Sequence, residues 1–307
     1  MKQIKVLLAT QKPFAQVAIQ QMEEALKEAD IHLEKLEQYT DKQELIDKLP
    51  GISALIVRSD KIDKEIIEAA KDLKLIVRAG SGYDNVDIKA AHQAGVVVMN
   101  TAGQHANAVA ELVFGMLIYG ARNRFNGVSG FELKGKTIGI HAFGNVGTNV
   151  ARIAKGFGMS VLAYDPYTSA ATIERNGAIA VSNVAELYKR SDFISLHLPF
   201  TPQTKEVINE ELIELMPQHA VLVNTARKEV INELDLLKLM KQRTNLMYLT
   251  DIEPDFLDEF RVLANQFFAT PKKMGAQTKE ANINAGVAAV HELVDFFKNG
   301  NVQFKVN

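Results

Sequence analysis

The sequence predicts an α/β protein built from two doubly wound, parallel-sheet domains of the Rossmann type with a cleft between them. Three observations lead there. Short β-branched runs alternate with amphipathic stretches along most of the chain, which is the rhythm of βαβ units. A glycine-containing turn after residue 141 joins a strand to a helix and restarts that rhythm mid-chain. At 307 residues the chain is also longer than one small hydrophobic core organises.

In chain order, residues 4–9 (IKVLLA), 54–57, 74–77 and 96–100 read as buried parallel strands. Phe14, Val17, Met22 and Leu26 recur at helical steps, and 65–71 and 86–94 read as shorter helices. Residues 107–123 form a helix that is apolar on nearly every face. Such a helix is expected between domains or subunits, and predicts a homodimer built around it. Strands follow at 137–141, 160–164, 193–196, 220–224, 246–250 and 267–269, and a last helix at 278–298 is long enough to return to the first domain. The expected division is discontinuous: 1–99 plus 277–307 around an inserted 100–276.

Composition narrows the function. With 47% hydrophobic and 23% charged residues the chain is globular, and a net charge of -2 excludes a strongly basic nucleic-acid binder. The absence of cysteine excludes thiolate catalysis and thiolate-bound metals. No His/Asp/Glu cluster has ligand spacing, so no metal is expected. The apolar start soon meets Lys12 and Pro13. It is too short for a signal core or a membrane span, so a cytoplasmic location is expected.

Residues 135–165 carry the most specific signal. A strand runs into Ala142-Phe143-Gly144-Asn145-Val146-Gly147, a helix opens, and a second strand ends at Asp165. Free N–H groups at Gly144, Asn145 and Val146 suit a pyrophosphate, and Gly147 permits close helix–strand packing. Asp165 is placed to accept the adenosine ribose hydroxyls and would repel a 2′-phosphate, which favours NAD over NADP. Alanine at 142 departs from the usual first glycine.

Beyond this turn, 73–87 (LKLIVRAGSGYDNVD), 100–112 (NTAGQHANAVAEL), 191–209 (SDFISLHLPFTPQTKEVIN) and 221–233 (VLVNTARKEVINE) stand in a fixed order. Together they resemble the D-isomer-specific 2-hydroxyacid dehydrogenases, over nearly the whole chain, and most nearly the family's short branch acting on 3-phosphoglycerate. The resemblance implies an NAD-binding domain at 100–276 and a substrate-binding domain at 1–99 plus 277–307. It implies cofactor contacts at His197, Leu198, Pro199, Thr204, Thr225, Ala226, Asp251 and Gly275, and a catalytic arginine at Arg227. The chain ends soon after the last helix, so no appended serine-binding domain is expected.

Oxidising a 2-hydroxy acid needs a hydride acceptor, a base, and an anchor for the carboxylate. The Arg227 fork suits the carboxylate. Ser81 and Gly82, in a loop with glycines on both sides of the serine, would present N–H groups to the same anion, with Ser81 also near the nicotinamide. The family uses a histidine supported by a glutamate. Here the segment reads Thr270-Pro271-Lys272-Lys273-Met274-Gly275, so a lysine stands in the histidine's place. Alignment on Pro271 selects Lys272, which is preferred, and alignment on Gly275 selects Lys273. Glu253 takes the family's acidic position across a shortened loop. Lysine has a reference pKa of about 10.4, so such a base predicts an alkaline optimum for alcohol oxidation.

Arg58 and Arg78 end two strands of the first domain, where ligand crevices lie, and Lys61 follows closely. Cations beyond the carboxylate site predict a phosphorylated 2-hydroxy acid, 3-phosphoglycerate before lactate or glycerate. Related readings are a reductase of hydroxypyruvate, glyoxylate or another 2-keto acid, and a non-catalytic NAD-sensing corepressor on the same fold.

Overall fold

The computed structural model describes residues 3–307. Contacts divide them into one unit that runs to His105 and includes Gln277–Asn307, and a second at Ala106–Ala276. The first division falls at His105 and not at residue 99. The Thr101 N–H donates to Arg78 O at 3.2 Å, holding the segment after the fifth strand to the first unit.

The first unit runs β1 (Lys5–Thr10), α1 (Gln16–Glu28), β2 (His32–Glu37), α2 (Lys42–Lys48), β3 (Ala54–Val57), α3 (Lys64–Ala69), β4 (Leu75–Arg78), α4 (Ile88–Gln93) and β5 (Val97–Asn100), and is completed by the chain's last helix, α12 (Lys279–Asn299). Its parallel sheet has the order β2-β1-β3-β4-β5. Side chains alternate across a strand, so Val6 and Leu8 pack with Met22, Leu26, Ala285, Ala289 and Leu293 on one face, while Leu7 and Ala9 meet Leu45, Leu49 and Ile66 on the other. The buried stripe of α1 is Ala18, Ile19, Met22 and Leu26. Val17, expected in that stripe, is 51% exposed, because it sits one position off the face that α12 and the sheet cover. The C-terminal residues shield the β5 edge, with Met99 opposite Lys305 in an antiparallel bridge.

Edge strand β2 and helix α2 fall outside the sequence expectation. No residue of HLEKLE is fully buried at this edge; Leu33 packs on one face and Leu36 on the other between charged neighbours, so the pattern is half polar and lacks a continuous apolar run. Helix α2 is a short polar helix started by a capping box in which Asp41 and Glu44 exchange hydrogen bonds with each other's backbone.

The second unit runs α5 (Ala106–Ala121), β6 (Thr137–His141), α6 (Asn145–Gly156), β7 (Ser160–Tyr164), α7 (Ala170–Arg175), β8 (Ile179–Ala180), α8 (Val184–Arg190), β9 (Phe193–Leu196), α9 (Glu210–Glu214), β10 (Val221–Asn224), α10 (Glu233–Gln242), β11 (Met247–Thr250), α11 (Leu257–Val262) and β12 (Phe267–Ala269). The sheet, again parallel, has the order β12-β11-β10-β9-β6-β7-β8. Helix α5 lies over α6 and the sheet of this same unit, with Phe114 stacked on Phe157 at 5.1 Å. Its own unit therefore covers most of its apolar surface. The apolar side chains left out are beyond its end, Phe125 at 67% and Val128 at 64% exposed. Among the described residues no helix is long and apolar enough to cross a membrane.

Both sheets reverse their winding once, at β1/β3 and at β6/β9. Loops leaving the carboxyl ends of two strands diverge at such a point and leave a crevice that ligands occupy. This geometry directs attention to 11–13 and 58–60 in the first unit, and to 142–147 and 197–204 in the second.

Candidate active site

At the β6/β9 reversal, β6 ends in His141 and the chain turns through Ala142, whose φ is +75°. That left-handed conformation is the reason glycine is usual here, and alanine bears a penalty of about 1 kcal/mol. Ala142→Gly is therefore expected to stabilise the protein by roughly 0.5–1 kcal/mol, raising the midpoint of a thermal melt by about 2 °C. An unchanged or lower midpoint would contradict the strain.

The next turn bears on the cofactor directly. Helices α2, α3, α7, α8, α9, α10 and α12 all start with an Asp, Asn, Ser or Thr whose side chain caps the first turn. Helix α6 starts at Gly144 with no side-chain cap, and a Cβ placed on Gly144 would meet nothing within 4 Å. Its first N–H groups and positive end thus face open space, the arrangement a diphosphate requires. Gly147 is constrained the opposite way, since a Cβ there would lie 2.5 Å from Ala142 O. Asp165, past the end of β7, accepts from Phe143 N at 2.7 Å and Tyr167 N at 2.8 Å. It ties the turn to the neighbouring strand and keeps lone pairs for hydroxyl donors. These residues fit a dinucleotide.

Beneath the turn lies a buried polar network absent from the sequence reading. His141 Nδ1 is 3.1 Å from Tyr188 Oη, and His197 Nε2 is 2.9 Å from Ser195 Oγ. Burial pulls His141 down to about 4 against the weaker pull of Asp165. Burial, then the charge on His141, pulls His197 down to about 3. Both rings are neutral at pH 7. Leu198 is buried, Pro199 is exposed, and Thr204 Oγ1 donates to Pro199 O at 2.6 Å, closing the loop on itself.

The segment after β10 is shaped by Asn224. Its Oδ1 accepts from Ala226 N and its Nδ2 donates to Arg227 O, both at 2.9 Å. The turn Thr225-Ala226-Arg227 is thereby clamped on both sides. Asn224 is the functional residue that the sequence reading missed, although the NTAR run contained it. Arg227 Nη1 donates to Ala226 O at 2.9 Å, and Lys273 Nζ donates to that same oxygen at 3.1 Å. Guanidinium and amine therefore meet across one carbonyl. The Lys272 side chain is exposed; it is the Lys272 carbonyl that is engaged, accepting from Thr270 Oγ1 at 2.7 Å. Lys273 is also exposed, but of the two lysines it is the one whose amine shares an acceptor with Arg227. The chain turns at Pro271, and the next side chain faces outward.

Asp251 fixes that turn. It is fully buried, and its Oδ2 accepts from Gly275 N at 2.6 Å and Met274 N at 3.1 Å. Burial raises its pKa, opposed by the Gly275 N–H, the Lys273 charge, the Met274 N–H and the Arg227 charge. Glu253 is exposed, and among the described residues it is brought into no hydrogen bond or ion pair. After the shortened loop it is Asp255 that pairs, with Lys228, while buried Glu233 accepts from Phe256 N at 3.0 Å. Asp251 is the carboxylate found beside Lys273.

In the first unit, the Arg78 guanidinium folds over Gly80, where a Cβ would lie 1.4 Å from Arg78 Nη1 and 3.1 Å from His105 Cε1. With φ at +151° this position is glycine's alone. Burial, then Arg78 and Arg58, pulls His105 down to about 4. Ser81 is exposed with its carbonyl held by Asn100 Nδ2, Gly82 follows it, and Lys61 is exposed. Arg58 is more committed than a surface cation. Its Nη1 donates to Lys12 O and Pro13 O at 2.9 Å, its Nη2 to Asn282 Oδ1, and it lies 4.8 Å over the Phe14 ring.

Comparison with known proteins agrees with this geometry. The family model described as "D-isomer specific 2-hydroxyacid dehydrogenase, NAD binding domain" matches residues 98–271. A D-3-phosphoglycerate dehydrogenase of Methanocaldococcus jannaschii is 37% identical over 82% of this chain, which spans only 51% of that protein's length. A hydroxypyruvate reductase of Thermotoga maritima is 37% identical over 85% of this chain and 90% of its own. Among solved structures, an NAD+-bound 3-phosphoglycerate dehydrogenase of Entamoeba histolytica superimposes with a TM-score of 0.91 at 45% identity, covering 99% of both chains. The chain belongs to the D-isomer-specific 2-hydroxyacid dehydrogenases, a family of NAD-dependent enzymes, and residues 98–271 match the family's NAD-binding domain.

Proposed function

We propose that the protein oxidises D-3-phosphoglycerate to 3-phosphohydroxypyruvate, the entry step to serine synthesis, with Lys273 as the acid/base. The observation that carries this reading is the meeting of Lys273 Nζ and Arg227 Nη1 on Ala226 O, at 3.1 and 2.9 Å. A 2-hydroxy acid bears its hydroxyl on the carbon next to its carboxylate, so it needs a cationic fork and a proton acceptor side by side. NAD, when bound, supplies the hydride acceptor.

The chain's own groups do the rest. Arg227 orients the carboxylate. Lys273, when neutral, takes the hydroxyl proton, and as an ammonium it returns one to the carbonyl oxygen in the reverse direction. Asp251 keeps the 273–275 turn in place. Gly144, Asn145, Val146 and Gly147 cradle the diphosphate and Asp165 takes the ribose hydroxyls. His197, Leu198, Pro199, Thr204, Thr225, Ala226 and Gly275 line the cofactor. Arg78, Ser81, Gly82 and the uncommitted donors of Arg58 hold the substrate's anionic groups, with Lys61 adding charge. The exposed Phe125 and Val128 favour a second copy of the chain as partner.

NADH absorbance with 3-phosphoglycerate, D-glycerate and glyoxylate tests the reading. The phosphorylated acid is expected to give by far the highest kcat/KM. Arg78→Gln should lower that value about tenfold or more, the worth of a charged hydrogen bond, with little effect on unphosphorylated acids. The Thermotoga relative's name supports the second reading, in which glyoxylate or hydroxypyruvate is reduced fastest. Tight NAD binding without turnover of any of these would favour a sensor.

A further inference from the structure

Asp60 is 2% exposed and lies off the end of β3, at the β1/β3 reversal of the first sheet. Its Oδ1 accepts from Gln11 N at 2.7 Å and Tyr39 Oη at 2.9 Å, and its Oδ2 from Arg58 N at 3.2 Å. Three hydrogen bonds make such a buried carboxylate tolerable. Asn85 Nδ2 completes the frame by donating to Asp60 O at 2.7 Å and Arg58 O at 3.3 Å.

These bonds converge on Arg58 by two routes. Through Arg58 N, Asp60 fixes the backbone that carries the guanidinium. Through Gln11 N it fixes the turn after β1, whose Lys12 and Pro13 carbonyls receive Arg58 Nη1. Thr10 Oγ1 holds Lys12 O at 2.7 Å and so stiffens the same turn. A guanidinium has five N–H donors. Lys12 O, Pro13 O and Asn282 Oδ1 take three of them, which leaves Nε–H and one Nη2–H, donors an anion can take up.

We infer that Tyr39 and Asp60 are positioning residues that aim the remaining donors of Arg58 at the phosphate of a phosphorylated 2-hydroxy acid, and so set the preference for phosphorylated over plain substrates. The inference rests on the substrate class proposed above. Tyr39 is 6% exposed, and burial followed by the Asp60 charge raises its pKa. Its hydroxyl therefore stays a donor to Asp60 through the working pH range.

Titration calorimetry of the full chain with 3-phosphoglycerate and with D-glycerate, beside steady-state kinetics, provides the test. Tyr39→Phe keeps the ring and removes one hydrogen bond, so 3-phosphoglycerate should bind about fivefold more weakly. Its KM should rise in parallel, with kcat and D-glycerate affinity unchanged. Asp60→Asn should weaken 3-phosphoglycerate further. If that variant does not fold, Tyr39→Phe decides alone. Equal losses for both acids, or no loss for 3-phosphoglycerate, overturns the inference. Arg58→Gln separates the two levels. Selective loss there without selective loss in Tyr39→Phe defeats only the positioning role. No selectivity in Arg58→Gln removes the phosphate from this site altogether.

Discussion

Lys273→Ala is expected to lower kcat for 3-phosphoglycerate oxidation by about 10³-fold, within the range a general acid–base group contributes, with NAD affinity unchanged. Lys272→Ala should stay near wild type. The contrast follows from geometry, since only the Lys273 amine reaches the carbonyl that also receives Arg227. Arg227→Lys should also be severe. It keeps a charge yet loses the planar fork, so it should raise KM for the acid as well as lower kcat. Steady-state kinetics of the three variants check the assignment. A large loss in Lys272→Ala with an active Lys273→Ala would reverse it.

The second large effect is a stability optimum near neutral pH. His141, His105 and His197 are held at about 4, about 4 and about 3 in the folded protein, below the ordinary 6.5. Below pH 6.5 the unfolded chain takes up protons that the folded one refuses. Stability that is complete above 6.5 therefore drains away as pH falls toward 4. Each ring contributes on the order of 1 kcal/mol per pH unit. Glu292 works in the other direction. Burial raises its carboxyl from the ordinary 4.5 to about 8, so stability present at low pH is lost as pH climbs from 4.5 through 8. Between 4.5 and 6.5 the histidines outnumber this carboxyl and stability rises with pH, while above 6.5 Glu292 acts without them. Thermal midpoints from pH 4 to 9 should trace a dome peaking between pH 6 and 7. Glu292→Gln should lift the profile progressively from pH 4.5 to 8 and move its peak toward the alkaline side. A flat profile down to pH 4.5 would mean that the buried histidines accept protons in the fold.

What the sequence made legible follows the same physics. Strands buried on both faces, such as β3, β9 and β10, announce themselves as unbroken apolar runs, and the strand–turn–helix order survives a misfit alanine at 142. The edge strand β2 is hidden because it is only partly covered, and charged residues alternate with its two leucines. At the site, the places of Arg227 and Asp165 could be read locally, since each follows a strand within a recognisable segment. Which lysine amine stands beside Arg227 could not. It depends on a turn gripped by Asp251 from 23 and 24 residues away. The setting of Arg58 was equally out of reach, because its partners lie 45, 46 and 224 residues distant. The shortened loop hides the placement of its acids for a related reason. Glu253 keeps its sequence neighbour Pro254 while the fold turns it outward, and Asp251 takes the buried place near the amine.

Chemical rescue probes the proton-carrying amine most directly. Lys273→Ala should recover oxidation of 3-phosphoglycerate in the presence of methylamine or ethylamine. The recovered rate should grow with amine concentration and depend on amine basicity, whereas Arg227→Ala given the same amines should stay inactive. Failure of every small primary amine to restore turnover in a folded, NAD-binding Lys273→Ala protein, or full activity of that variant without any amine, would contradict the assignment.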